Sequence, residues 1–295
     1  MSAIRLDGRE IAAQMREEMG REVTRLAQEH MLRPGLAVVL VGENPASQSY
    51  VRSKTQACQE LGMHSMQLDF PASLSTEALL ETISDLNADD SIHGILVQLP
   101  LPGQDEERVL NTVSPEKDVD GLHPVNLGRL LRGEEGFWPC TPHGVLQILQ
   151  RSGVEVAGKH AVVVGRSPLV GRPVANLLAQ KMEGGNATVT LCHTGTHDLG
   201  YFTRQADILV VAAGQPRAIT DEMVKEGAVV IDVGVNRIED ATRERGWRLV
   251  GDVDYAAVRK KARAITPVPN GVGPMTITML LYNTIEAAKR LGGVQ

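Results

Sequence analysis

Apolar positions along this chain switch repeatedly between helical spacing and short continuous runs. After Asp7, a residue able to cap a first turn, Ile11, Met15, Met19, Val23 and Leu26 recur at three- to four-residue intervals, and the run ends before Pro34. Leu36 to Val41 is continuously apolar over strand length, as expected of a strand buried on both faces. Beyond the Asn44-Pro45 turn the pattern predicts a helix from about Ser47 to Leu61 and a strand near Met63 to Phe70. A helix over Thr76 to Leu86 and a strand over His93 to Leu99 follow. Strand and helix in alternation predict a largely parallel sheet.

Phe137 to Pro142, FWPCTP, reads as a rigid proline-flanked turn before a helix over His143 to Gln150, and the Ser152-Gly153 stop is followed by a fresh strand and helix series. In that series a strand from Ala161 runs into a turn bounded by Gly165 and Gly171, and Pro173 opens an amphipathic helix. Strands follow at Thr188 to Cys192, Asp207 to Ala213 and Ala228 to Val233, with Thr220 capping a helix between the last two. Ile265 to Thr276 packs three prolines and two glycines before a long helix from about Met275 to Leu291. No strand comes after that helix, so it is expected to return to the first domain. The fold class is therefore α/β with two domains. Residues 1–142, completed by 275–295, are expected to form a three-layer α/β domain with a mainly parallel sheet, and residues 143–274 a Rossmann-like nucleotide-binding domain.

Bulk composition narrows the class. The chain has 295 residues, 42% of them hydrophobic and 22% charged, which is enough for two packed cores, and 3% aromatics make those cores aliphatic. A net charge of -6 without a basic tract argues against a nucleic-acid surface. Cys58, Cys140 and Cys192 are far apart, with no C-x-x-C, so neither a disulfide framework nor a zinc site is expected and a reducing compartment is. The N-terminal MSAIRLDGRE is charged where a signal peptide needs an apolar core, and no apolar run would span a bilayer. A soluble cytoplasmic protein without a membrane partner is the expectation.

Candidate chemistry gathers at strand ends. The Gly165 to Gly171 turn reads either as a phosphate loop at a helix start or as a plain turn between strand and helix, since the middle glycine of G-x-G-x-x-G is missing. Arg166 at the loop favours phosphate. The strand ending at Cys192 continues His193-Thr194-Gly195, with none of the carboxylate that usually meets a free ribose hydroxyl, so NADP is expected over NAD. Lys54 shares a stripe with Val51, Cys58 and Leu61; it either snorkels to solvent or is held partly desolvated as a base. Tyr50 lies one turn earlier. Together they also match the Y-x-x-x-K of short-chain dehydrogenases, but there the glycine-rich loop precedes the pair and here it follows. Gln98 ends its strand just before Pro100, where it serves either a ligand or only the strand's own backbone. Asp118 and Asp120 lack a third ligand of matching spacing, the histidines are scattered, and no metal site is expected.

Taken together, Tyr50-Val-x-x-Lys54, Val97-Gln98-Leu99-Pro100-Leu101-Pro102, Pro115-Glu-Lys-Asp-Val-Asp120-Gly121, Pro139-Cys-Thr-Pro142, Gly165-Arg-Ser-x-x-Val-Gly171-x-Pro173 and Gly271-Val-Gly-Pro-Met-Thr276 resemble the bifunctional methylenetetrahydrofolate dehydrogenase/cyclohydrolase family over essentially the whole chain. The resemblance implies NADP-dependent oxidation of methylenetetrahydrofolate and hydrolysis of the methenyl product to 10-formyltetrahydrofolate, in the one-carbon metabolism that serves purine biosynthesis. By that likeness Lys54 activates water, Gln98 orients it, Tyr50 stacks on the folate and Asp120 binds the pterin. Likewise Gly165, Arg166 and Ser167 hold cofactor phosphates, Thr194 sits by the 2'-phosphate, and Val235 contacts the nicotinamide end. The family also implies a homodimer joined through the Rossmann-like domains, with the pterin and nicotinamide meeting between lobes. Asn270 stands where the family usually has glycine, and Asn tolerates a left-handed backbone; Thr194 replaces a more familiar serine. Formate ligation is not expected, as no further domain is present. The alternatives are a dehydrogenase without hydrolysis and a nucleotide-binding regulatory module without turnover.

Overall fold

The computed structural model describes residues 2–294. In chain order these form β1 (Ile4–Arg5), α1 (Gly8–His30), β2 (Gly35–Val41), α2 (Pro45–Glu60), β3 (His64–Phe70), α3 (Thr76–Ala88), β4 (Gly94–Val97), α4 (Glu106–Thr112) and α5 (Pro124–Arg132). There follow α6 (Cys140–Arg151), β5 (His160–Val164), α7 (Gly171–Ala179), β6 (Thr188–Cys192), α8 (Leu199–Thr203), β7 (Ile208–Val211) and β8 (Val229–Asp232). The chain ends with β9 (Asn236–Glu239), β10 (Trp247–Val250), α9 (Tyr255–Val258), β11 (Ala264–Ile265) and α10 (Val272–Leu291). It divides into two compact units, Gln14–Cys140 with Ile277–Gln295, and Met1–Ala13 with Thr141–Thr276, so both α1 and α10 contribute to each. This is a two-domain α/β fold. Among the described residues no helix is long and apolar enough to cross a membrane.

The first of these units is built on a three-stranded parallel sheet in the order β3-β2-β4. Both parities of β2 are buried, because helices cover both faces as parallel strands require. Leu79, Ile83 and Leu86 on α3 pack with Ala37, Val39, Ile95 and Val97, each large side chain so buried contributing about 1.5–3 kcal/mol. The C-terminal part of α10 joins this unit, as the lack of a following strand predicted. A Cβ on Gly94 would meet Val119 at 2.7 Å and the Thr284 hydroxyl at 3.1 Å, so glycine lets loop and helix close on β4.

The second unit carries a six-stranded parallel sheet, β1-β11-β8-β7-β5-β6. Val162, Val164, Leu209, Val211, Val230 and Ile265 alternate onto one buried face. Residues Ile4 and Arg5 join it by pairing with Ala264 and Ile265, which groups the first thirteen residues with Thr141–Thr276; two residues are too few to show a period. Also unforeseen is the antiparallel hairpin of β9 and β10, whose four-residue strands, NRIE and WRLV, carry no sustained apolar alternation. Arg237 and Arg245 stack on Trp247 at 4.5 and 4.2 Å and supply the packing there.

Two local expectations are corrected. Between β7 and β8 the structure has only a 3-10 turn, Asp221–Met223, and the Thr220 side chain makes no capping bond to it. The left-handed Gly227 turn before β8 leaves no room for a longer helix. The helix expected from His143 starts at Cys140, with Pro142 inside its first turn, where a missing N–H leaves no helical bond unmade. At the other end of the chain's first helix, Asp7 accepts the Arg9 N–H at 3.0 Å, as a capping residue should.

Candidate active site

In the first unit, α2 packs on β2 and β3. Val51 and Cys58 are fully buried on it, and Lys54, between them on the same stripe, is half-buried. Its amine does not run out to solvent. Lys54 Nζ donates to Gln98 Oε1 at 3.0 Å. Gln98 in turn donates through Nε2 to the Leu99 carbonyl at 2.8 Å, which fixes its oxygen toward the lysine. The Gln98 nitrogen thus serves the strand-end backbone, while its oxygen holds the lysine. Tyr50, one turn before Lys54, is 51% exposed and presents an uncovered ring.

The structure also separates the two acids of the Pro115 to Gly121 loop. Asp118 is buried and accepts from the N–H groups of Leu122 and His123 and from Asn126 Nδ2, at 3.2, 2.9 and 2.8 Å; it builds the loop. Asp120 is half-buried beside Cys140. Burial pushes the Cys140 thiol well up, the Asp120 charge adds to the rise and the Lys54 charge opposes it, so all three groups share one neighbourhood. Asn283, which the sequence reading missed, donates from α10 to the carbonyls of Val119 and Trp138 at 2.8 and 3.1 Å and so fixes the loop that carries Asp120. The available signal was an amide in a mostly apolar stretch of helix, LLYNTIEAA. Among the described residues no group of three or more His, Cys, Asp or Glu is placed to hold a metal ion.

In the second unit the connection from β5 runs to β6 on one side and that from β7 to β8 on the other, which puts the switch point of the sheet between the carboxyl ends of β5 and β7. Gly165 follows β5 at φ 123°, and a Cβ there would lie 2.1 Å from the Ala212 carbonyl oxygen. A Cβ on Gly171 would lie 2.0 Å from the Gly165 oxygen. Both glycines are thus required by close backbone packing. The Ser167 hydroxyl accepts the N–H groups of Val170 and Gly171 at 3.1 and 3.4 Å, so the start of α7 is partly satisfied from within. Among the described residues the N–H groups of Arg166, Ser167 and Leu169 donate to no protein acceptor. They line a loop with an exposed guanidinium at Arg166, a donor set suited to a pyrophosphate. The pairing of Val164 with Cys192 sets Arg166 and the exposed Thr194 on neighbouring strand ends. Val235, 50% exposed, follows β8, two strands away across β7. Asn270 adopts φ 81°, the left-handed conformation that glycine would take.

Residues 6–120 match the family model described as tetrahydrofolate dehydrogenase/cyclohydrolase, catalytic domain, and residues 139–291 match the model for its NAD(P)-binding domain. The chain is 58% identical over 295 residues to a bifunctional protein FolD of Dehalococcoides mccartyi, covering 100% of this chain and 99% of that one. Among solved structures it is similar to the FolD methylenetetrahydrofolate dehydrogenase/cyclohydrolase of Campylobacter jejuni, with TM-score 0.92, 47% identity and 98% and 99% of the two chains covered. It is similar also to the FolD of Trypanosoma brucei, solved with NADP cofactor and an inhibitor, with TM-score 0.92, 42% identity and 98% of each chain covered. The chain belongs to the tetrahydrofolate dehydrogenase/cyclohydrolase family.

Proposed function

We propose that this protein oxidises 5,10-methylenetetrahydrofolate with NADP and hydrolyses the 5,10-methenyl product to 10-formyltetrahydrofolate. The observation that carries the reading is the 3.0 Å hydrogen bond between Lys54 and Gln98 at the end of β4. A methylene carbon between two nitrogens gives up hydride with help from their lone pairs, so the protein's task in that step is positioning. NADP, when bound, supplies the hydride acceptor. Gly165, Arg166 and Ser167 are the residues that would hold its phosphates, Thr194 its 2'-phosphate and Val235 its nicotinamide end. Tyr50 offers a ring face to the folate, and Asp120 a carboxylate to the amino edge of the pterin.

Hydrolysis needs a base. Water adds to the methenyl carbon as one of its protons passes to the Lys54 amine; the bond from that carbon to the ring nitrogen N5 then breaks as N5 takes up a proton and the carbinol hydroxyl gives up its own, leaving the formyl group on N10. Gln98 holds the amine in place through Oε1 while its own orientation is locked by Leu99.

We propose further that the protein works in the cytoplasm, feeds purine biosynthesis, and is a homodimer joined through its Rossmann-like units; β6 is an edge strand, with Leu191 38% exposed. The central experiment follows NADPH formation and methenyltetrahydrofolate hydrolysis in one preparation, with NADP and with NAD. Both activities, with NADP preferred, are expected. NADPH formation without hydrolysis leaves a dehydrogenase alone, and cofactor binding without turnover leaves a regulatory module. Sedimentation tests the dimer.

A further inference from the structure

At the carboxyl ends of β7 and β8 two carboxylates lie buried together, outside the set of residues discussed so far. Asp232 is 2% exposed and Asp252 0%. Asp252 Oδ2 accepts the N–H groups of Ala213 and Gly214 at 2.7 and 2.8 Å, and its Oδ1 accepts from Asn236 Nδ2 at 2.8 Å. Asp232 Oδ1 accepts the N–H groups of Gly234 and Asp252 at 3.0 and 2.9 Å, and its Oδ2 that of Val253 at 3.0 Å. The packing tolerates nothing larger around them. A Cβ on Gly251 would lie 1.8 Å from Asp232 Oδ2, and one on Gly234 2.2 Å from the Asp252 carboxyl carbon.

These bonds form a chain of command. Asp232 seats the backbone of Asp252; the Asp252 side chain then fastens the turn after β7 and, through Asn236, the start of β9. Val235 is the residue between fastened Gly234 and fastened Asn236, and it alone of the three turns half of its side chain to solvent. Burying two acids side by side is unfavourable, and burial pushes Asp232 up to about 7 against the pull of its N–H donors. A site that only needed filling would be met by apolar groups; six accepted hydrogen bonds instead set the direction of two strand-end loops.

We infer that Asp252 is a positioning residue for hydride transfer, seated on Asp232 and holding the Ala213–Gly214 turn and the backbone around Val235 as one rigid shelf. The inference rests on the proposed role of Val235 at the nicotinamide. In full-length protein, Asp252→Asn replaces the charged acceptor of three of these bonds with a neutral amide whose NH2 faces Asn236, so Asn236 must turn its own amide over to accept and the bonds lose their charge. Its kcat for NADPH formation should fall about tenfold, with the Kd for NADP changed by less than about threefold. Hydrolysis of added methenyltetrahydrofolate, assigned to Lys54 in the other unit, should stay within about twofold. The double variant Asp252→Asn with Asn236→Asp exchanges donor and acceptor and should recover hydride transfer to within about threefold of the parent, a rescue that loss of packing would not allow.

Asn236→Ala covers the case in which the single variant fails to fold. It removes one bond of the six and should lower kcat for hydride transfer about threefold with hydrolysis unchanged. Equal falls in both activities, no recovery in the double variant, or full hydride transfer in both Asp252→Asn and Asn236→Ala would overturn the inference. The underlying reading fails differently: Val235→Trp with parental hydride kinetics would remove Val235 from the nicotinamide, whatever Asp252 does.

Discussion

In the unit that holds Lys54 the working atoms are side-chain tips on elements whose packing belongs to other residues, whereas in the unit that holds Gly165 the working surface is backbone and its shape is the packing. Val51 and Cys58 bury α2, leaving Lys54 to reach Gln98. Gly165 and Gly171 instead touch Ala212 and each other at distances no side chain would permit. Chemistry and stability are therefore separable in the first unit and joined in the second. Substitutions there should cost activity alone, and substitutions here both.

The sharpest test is Lys54→Met, which keeps the length and the apolar stem. Hydrolysis should fall about 10²–10⁴-fold, the usual contribution of a general base. Hydride transfer and melting temperature should be largely retained. Equal loss of the two activities would assign Lys54 to binding, and a fall in melting temperature would show that the first unit, too, uses its reactive side chain as scaffold. Gly165→Ala is the complementary change. At φ 123° and 2.1 Å from a carbonyl oxygen, the added methyl should cost about 3 kcal/mol of stability and weaken NADP binding with it. A variant that melts like the parent would break the comparison.

Within the second unit, two buried titratable groups oppose each other in pH. Burial holds His143, at the start of α6, down to about 4, so below about 6.5 the unfolded chain binds the proton that the folded one refuses, and stability falls as pH falls. Asp232, pushed up to about 7 by burial, has the opposite sign: the folded state holds more protons, and stability falls as pH rises toward 7. In the parent the two slopes oppose each other between about pH 5 and 6.5. Urea denaturation of His143→Gln should expose the Asp232 slope, and of Asp232→Asn the His143 slope, each on the order of 2 kcal/mol across that window. Two variants with the parent's slope would exclude both groups as its source.

Much of the architecture was legible because apolar period carries it: β2, α3, β4 and the strands β5 to β8 follow from spacing, and the return of α10 from the lack of a strand after it. Elements held by other means were not. The β1 pairing is two residues long, and the β9 and β10 hairpin rests on guanidinium stacking with Trp247. For the site, Lys54 showed itself as a cation on an apolar stripe, and the Gly165 turn as glycines between strand and helix. Asp118 and Asp120 looked alike in sequence, and only hydrogen-bond partners separate the one that builds the loop from the one beside Cys140. Asn283, Asp232 and Asp252 were hidden because each acts on backbone groups far along the chain, and no local spacing encodes that.

Arg166→Ala probes the one part of the second unit where function should again part from stability. The guanidinium is exposed, beyond the end of β5 and next to the strand end that carries Thr194, so its loss should change stability by less than about 0.5 kcal/mol. A charge-assisted contact to the 2'-phosphate is made with NADP and has no counterpart with NAD. The KM for NADP should therefore rise about tenfold while that for NAD moves little. Because the contact is at the surface, added salt should erode the parent's preference for NADP and leave the variant's unchanged. If the variant keeps both the preference and its salt dependence, the 2'-phosphate is held by another group, and the backbone cradle alone would then be the part of this loop that binds cofactor.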